Sequence, residues 1–197
     1  MNYSDILKFF DFEKPWERHC FLVARIALRI GRAIPWVDSN FLFYYALVHD
    51  IGRITENGKS FPKSHPVEGY KFLTEGENKG KGYERLAMSC ITHTFPEPKE
   101  IVLVPGICHD DWDKPERQYD EIDSYISGLL TGYQPTIYDA IVTIADLMAG
   151  TNQIVTIQER LNRTYEKYGD KPNRPKVEQA IVCLTEKVEK EIPGNLT

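Results

Sequence analysis

Apolar residues recur at intervals of three and four along much of the chain, which is the spacing of one face of an α-helix. The first such stretch runs from about residue 15 to residue 34. Pro15 can begin this helix, and its apolar face also carries His19. The second stretch, about 40 to 50, is apolar nearly all round, as is typical of a central helix. Gly52 then provides a natural stop for that helix.

The same pattern predicts six further helices. We expect the first of them to begin at His65. The other five cover about 83–94, 121–130, 137–148, 152–168 and 174–191. Residues 96–120 look irregular, and the short segment Ile101–Val104 is too isolated to anchor a sheet. The sequence therefore predicts an all-α fold, a compact helical bundle. We expect a single domain over 1–197, with a core at about 15–150 and C-terminal helices at 151–192.

Composition narrows the class of protein. Hydrophobic residues at 42% and charged residues at 27% are ordinary for a globular protein. A formal net charge of -5 argues against binding to a nucleic-acid polymer, because such binding needs a basic surface. The longest apolar run, Phe41–Val48, is far shorter than the roughly 20 residues that span a bilayer. The sequence shows no signal-peptide pattern, so we expect a cytoplasmic protein with no membrane partner. Its four cysteines are widely spaced, so we expect reduced thiols.

Histidines and carboxylates are the candidate functional residues within these helices. His49 and Asp50 are neighbours at the end of an apolar segment, and Asp146 interrupts another apolar helix. Three more histidines fall at helix ends or on inward faces: His19, His65 and His93. A buried carboxylate is costly unless a cation or several hydrogen bonds satisfy it. Each aspartate could be an N-cap or part of a buried salt bridge, and Arg53 could pair with Asp50. Asp146 has no such local partner, so a metal is the simpler explanation for it.

The order of these residues resembles a known family. In chain order the motifs are Arg18-His19, His49-Asp50, His65-Pro66, His93-Thr94 and Ala145-Asp146. Their spacing and helical context resemble the HD-domain superfamily of metal-dependent phosphohydrolases over residues 18–146. Family-like segments follow at 158–161 and 167–169. The two additional histidines are similar to the subset of the family that holds a two-metal centre, which includes bacterial enzymes that cleave dinucleoside polyphosphates.

This resemblance implies a set of ligands for one or two divalent transition metal ions. The first ion would be bound by His19, His49, Asp50 and Asp146. The second would be bound by His65 and His93, with Asp50 bridging the two. Imidazole and carboxylate ligands without thiolate suit iron, manganese, nickel, cobalt or zinc. The implied reaction is hydrolysis of a nucleotide or related phosphoester by a metal-bound hydroxide.

Phosphoryl transfer also needs positive charge on the side of the phosphate that faces away from the metals. Arg53 is the main candidate, because it lies one turn beyond Asp50, where the family often has lysine. Its planar guanidinium can bind phosphate bidentately. We therefore assign catalysis to Asp50 and Arg53, and substrate binding to Arg53, Arg18 and Lys63. Arg18 and Lys63 could equally be solvated side chains.

Two other classes of protein are compatible with these residues. A regulatory HD module could bind a nucleotide and a metal without turnover, and a helical interaction protein could carry these residues incidentally. His109, in the acidic part of the 96–120 loop, could shape access of the substrate or have no role. The sequence leaves open the phosphorylated substrate, the identity of the metal and the oligomeric state.

Overall fold

The computed structural model describes residues 3–55, 65–93, 117–150, 152–168 and 174–194. Within these ranges the chain is helical, and the one strand-like feature is an isolated antiparallel bridge between Ala149 and Ile154. The prediction of an all-α fold is therefore confirmed. The α-helices are α1 (Pro15–Gly31), α2 (Ser39–Leu47), α3 (His65–Thr74), α4 (Glu84–Thr92), α5 (Arg117–Leu130), α6 (Ile137–Met148), α7 (Ile157–Tyr168) and α8 (Arg174–Lys190). Short 3-10 helices cover Ser4–Phe9, Ile51–Thr55 and Gly76–Asn78.

The main core is formed where α1 packs against α2 and α6. α3 packs against α4 and against the 3-10 helix at Ile51–Thr55, while α8 packs on α6. Buried apolar residues from α1, α2, α4, α6 and α8 form one continuous cluster. This arrangement places the end of α2 in the middle of the bundle, where Leu47 and Val48 are fully buried.

The helix predicted over 40–50 is shorter in the structure, where α2 ends at Leu47. The chain then tightens, because the N–H of His49 bonds to the Ala46 carbonyl and that of Ile51 bonds to the Val48 carbonyl. His49 and Asp50 therefore lie in a turn between α2 and a 3-10 helix rather than on a regular α-helix. The prediction that both sit inside the helix is wrong, although both are buried as expected.

Gly52 does not stop a helix. Its backbone is not in the left-handed region that helix-stopping glycines adopt. A Cβ at this position would instead lie 2.5 Å from the Gly69 nitrogen and closer still to the carbonyl oxygen of His65. Glycine is required here because the 3-10 helix and the start of α3 approach each other at backbone distance.

Other predicted helices differ mainly at their ends. α1 begins at Pro15 as predicted but ends at Gly31, followed by turns with bonds between residues three apart. α7 begins at Ile157 rather than near 152, because Thr156 caps it: the Glu159 carboxylate accepts bonds from both the N–H and the hydroxyl of Thr156. Lys63, His109 and the Ile101–Val104 segment lie outside the described residues.

None of the helices that the structure describes is long and apolar enough to span a bilayer. The cytoplasmic location and the division into a core at 15–150 and C-terminal helices stay predictions. α8 nevertheless contributes Leu184 and Val188 to the main core cluster. The Trp36 indole also donates a hydrogen bond to Glu191, just beyond the end of α8.

Candidate metal centre

Six histidine and aspartate side chains from five parts of the chain converge in the bundle. They come from α1, the turn after α2, the first residue of α3, the residue that caps the end of α4, and the last turn of α6. In chain order they are His19, His49, Asp50, His65, His93 and Asp146. All six residues predicted as metal ligands thus belong to two groups of closely spaced donor atoms. Their role as ligands remains a prediction.

The first group consists of His19, His49 and Asp146, whose donor atoms lie within 4.8 Å of one another. Asp146 Oδ1 lies 2.8 Å from Nε2 of His19 and 3.9 Å from Nε2 of His49. The rings of His19 and His49 meet at 64° with their centroids 5.4 Å apart. Two imidazole nitrogens therefore point toward one carboxylate oxygen.

The second group consists of Asp50, His65 and His93, again within 4.8 Å. Asp50 Oδ1 lies 3.0 Å from Nε2 of His65 and 3.5 Å from Nε2 of His93. The other oxygen of this carboxylate, Oδ2, lies 4.0 Å from Nε2 of His49, which belongs to the first group. Asp50 thus belongs to the second group through Oδ1, and its bridging of two ions stays a prediction.

The tautomers of two of these histidines suit metal binding. Nδ1 of His49 lies 2.8 Å from the carbonyl oxygen of Ala46, and Nδ1 of His93 lies 3.0 Å from that of Ser89. A carbonyl can only accept, so Nδ1 carries the proton and Nε2 carries the lone pair. Nε2 of His49 is buried and has no hydrogen-bond partner among the residues described. A cation between His49 and the carboxylates would satisfy this atom, so the donor set fits a divalent transition metal.

The charges at the centre also favour a cation. Burial acts to raise the pKa of Asp50 and Asp146, but the adjacent histidines hold the pKa of both well below its ordinary value. Burial lowers the pKa of His49, and lowers the pKa of His93 to about 3. For His19, burial acts to lower the pKa, but the hydrogen bond and charge of Asp146 outweigh it and raise the pKa. Two ionised carboxylates therefore face two neutral imidazoles.

The two arginines predicted to bind substrate are engaged differently. Arg53 Nε donates to Asp50 Oδ2 at 2.6 Å, so the salt bridge considered as an alternative is present, and it places a guanidinium at the edge of the second group. The Arg18 guanidinium donates to the carbonyls of Phe12 and Glu13. Arg18 thus holds the turn before α1, and its role in substrate binding stays a prediction.

Asp139 is a buried carboxylate that the sequence interpretation missed. It is 0% exposed and lies in the first turn of α6, where it forms a reciprocal capping box with Thr136. The spacing Thr136-x-x-Asp139 before an apolar run is the signal that could have located it. The hydroxyls of Tyr45 on α2 and Thr92 on α4 also donate to it, and these distant partners are not evident from the sequence.

Comparison with protein families agrees with this site. The model of the HD-domain family matches residues 16–150, which include all six of the converging residues. The chain therefore belongs to the HD-domain family, whose members are generally metal-dependent hydrolases of small phosphorylated substrates. No curated protein and no solved structure matches the chain.

Proposed function

We propose that this chain is a metal-dependent phosphohydrolase with two metal sites that acts on a nucleotide or a related phosphoester. The observation that carries the proposal is the pairing of two His/Asp groups through one dipeptide, His49-Asp50. His49 belongs to the first group and Asp50 to the second, and Nε2 of His49 lies 4.0 Å from Oδ2 of Asp50. Two adjacent cation sites joined in this way suit a phosphoester, because two positive charges can act on one phosphoryl group.

The six residues divide into two sets of ligands in this proposal. His19, His49 and Asp146 hold one ion, and His65 and His93 hold the other. Asp50 would join His65 and His93 around the second ion, and it would link the two sites through its neighbour His49. When bound, divalent metals of this kind lower the pKa of a coordinated water and polarise a phosphoryl oxygen, which together provide the nucleophile and the electrophile.

Arg53 has two tasks in this proposal. Its Nε–H bond to Oδ2 fixes the plane of the Asp50 carboxylate, so that Oδ1 faces His65 and His93. Its guanidinium also keeps a permanent positive charge beside the ligands, where a phosphate would bind. Side-chain exposure of 28% leaves Arg53 partly accessible from solvent.

The cysteines near the centre are poor candidates for a covalent mechanism. Cys20 and Cys90 are both fully buried, and burial raises the pKa of each thiol. The Cys90 thiol also donates to the carbonyl of Val48. A buried neutral thiol is a weak nucleophile, so hydrolysis by activated water is the mechanism that these residues support.

Phosphate release from a panel of substrates tests the proposal. The purified chain, stripped of metal, is supplied in turn with manganese, iron, nickel, cobalt or zinc. It is then assayed with mononucleotides, dinucleoside polyphosphates and cyclic dinucleotides. We expect metal-dependent release of phosphate or nucleotide from at least one class of substrate, and its loss in His49→Ala and Asp50→Ala.

Two other outcomes have clear meanings. Tight, metal-dependent nucleotide binding without hydrolysis would replace this proposal with a regulatory HD module. If the chain binds no metal and hydrolyses no substrate of the panel, both the phosphohydrolase and the regulatory module are refuted. A helical interaction protein would then be the remaining interpretation.

A further inference from the structure

A second buried network lies in the same bundle, centred on the Asp139 carboxylate. Oδ1 accepts hydrogen bonds from the Tyr45 hydroxyl at 2.5 Å and from the Thr92 hydroxyl at 2.6 Å. Oδ2 accepts from the Tyr133 hydroxyl at 2.9 Å and from the N–H and hydroxyl of Thr136, each at 2.7 Å. All five donors are neutral, so hydrogen bonds rather than a cation satisfy this carboxylate.

The network joins two helices that carry proposed ligands. Asp139 lies seven positions before Asp146 on α6, so the two share a face of that helix two turns apart. Thr92 is the last residue of α4 and is followed directly by His93. Thr143 lies between Asp139 and Asp146 on α6. Its hydroxyl donates to the Asp139 carbonyl at 3.0 Å and lies 3.4 Å from the Thr92 carbonyl oxygen.

The bond between Thr92 and Asp139 is well suited to fix the end of α4. A short hydrogen bond to a carboxylate is stronger than one between neutral groups, and exclusion of water strengthens it further. Thr92 and Asp139 are both 0% exposed. His93 is the residue directly after Thr92, and its Nε2 lies only 3.5 Å from Asp50 Oδ1. A small rotation of the last turn of α4 would therefore change that distance.

We propose that Thr92 and Asp139 are positioning residues for the metal centre. Their hydrogen bond sets the location of the His93 imidazole, and through it the affinity of the Asp50/His65/His93 group for its ion. This inference rests on the proposed function, because it concerns the same ligands. It adds a tie between α4 and α6 to the residues that determine the geometry of the centre.

Paired variants test the inference through metal binding. Thr92→Val removes only the hydroxyl and keeps the shape of the side chain. Tyr133→Phe is the matched control, because it removes another hydrogen bond to the same carboxylate from the segment between α5 and α6, where no proposed ligand lies. Each is combined with His19→Ala, which leaves the second group intact, and with His65→Ala, which leaves the first. Binding of Mn²⁺ is then measured by calorimetry.

We expect Thr92→Val to weaken Mn²⁺ binding by about tenfold or more in the His19→Ala background. It should leave binding unchanged in the His65→Ala background. Thr92→Ser, which restores the hydroxyl, should recover the affinity. Tyr133→Phe should lower thermal stability about as much as Thr92→Val without changing either affinity, and that difference separates positioning from general destabilisation.

Two results would count against the inference. Equal effects of Thr92→Val and Tyr133→Phe on Mn²⁺ affinity, or no effect of Thr92→Val in the His19→Ala background, would overturn it while leaving the proposed function intact. If the unmodified chain binds no Mn²⁺ and no other divalent ion, the proposed function fails and the inference fails with it.

Discussion

Gly52→Ala is the substitution whose effect follows most directly from the backbone geometry. The new Cβ would lie 2.5 Å from the Gly69 nitrogen and 2.8 Å from the carbonyl carbon of His65. Ordinary contact begins at 3.4 Å, and the carbonyl oxygen of His65 lies closer still than these two atoms, so the 3-10 helix and the start of α3 must separate by more than about 1 Å. The obstructing atoms belong to the backbone, so a change of side-chain rotamer cannot relieve the clash.

We expect this change to lower the free energy of unfolding by about 3 kcal/mol, the upper part of the usual range for overpacking. With a denaturant slope of about 2–3 kcal/mol/M, the urea midpoint should fall by roughly 1–1.5 M. The same displacement moves His65 from Asp50, where Nε2 and Oδ1 are 3.0 Å apart. A ligand misplaced by about 1 Å should reduce turnover by about 100-fold.

Gly128→Ala is the control for this prediction. Gly128 is exposed on α5, and among the described residues no atom outside the backbone of its own helix lies within 4 Å of its added Cβ. Alanine there should raise the free energy of unfolding by about 0.5–1 kcal/mol, because glycine is unfavourable inside a helix. The reasoning is refuted if Gly52→Ala unfolds within about 0.5 kcal/mol of the unmodified chain. It is also refuted if the variant is destabilised yet keeps full metal affinity and turnover.

Three further predictions concern the centre and its surroundings. Metal affinity should fall as the pH drops through the raised pKa of His19, above the ordinary value of 6.5, because the proton competes with the ion for Nε2; calorimetry at several pH values measures this. Asp139→Asn should lower the free energy of unfolding, measured with urea, by about 2 kcal/mol. The reason is that the amide NH₂ replaces an acceptor oxygen and faces other donors, either the Thr136 N–H or the hydroxyls. Asp38→Asn is the matched control: Asp38 is the exposed N-cap of α2, where asparagine caps as well as aspartate, so stability should change little. Arg53→Ala should weaken metal binding, because the Asp50 carboxylate loses the bond that orients it, and at saturating metal it should lower kcat about 100-fold; retained turnover would remove Arg53 from catalysis.

The sequence located most of the centre because its residues carry strong local signals. His19 lies on the apolar face of a helix that Pro15 begins, and His65 precedes Pro66 at the start of α3. Asp146 interrupts an apolar helix, and that helix is observed over the predicted residues. Hydrophobic periodicity determines which side of a helix turns inward, so it also predicts which polar residues are buried.

What the sequence did not reveal depends on contacts between distant segments. The end of α2 could not be placed, because residues 41–48 are apolar throughout and no local stop signal follows them before Gly52. Gly52 looked like that signal, but its role depends on the close approach of α3, thirteen residues further along. The spacing of Thr136 and Asp139 indicates only a helix cap, because the bonds from Tyr45 and Thr92 that make Asp139 the centre of a network arise through tertiary packing.

Anomalous diffraction from crystals of the chain soaked in Mn²⁺ would test the central claim most directly. We predict one manganese peak among the Nε2 atoms of His19 and His49 and the carboxylate of Asp146, and a second among Asp50, His65 and His93. A peak in only one group would contradict the two-metal assignment. The absence of manganese from both groups, in crystals that bind it elsewhere, would contradict the account as a whole.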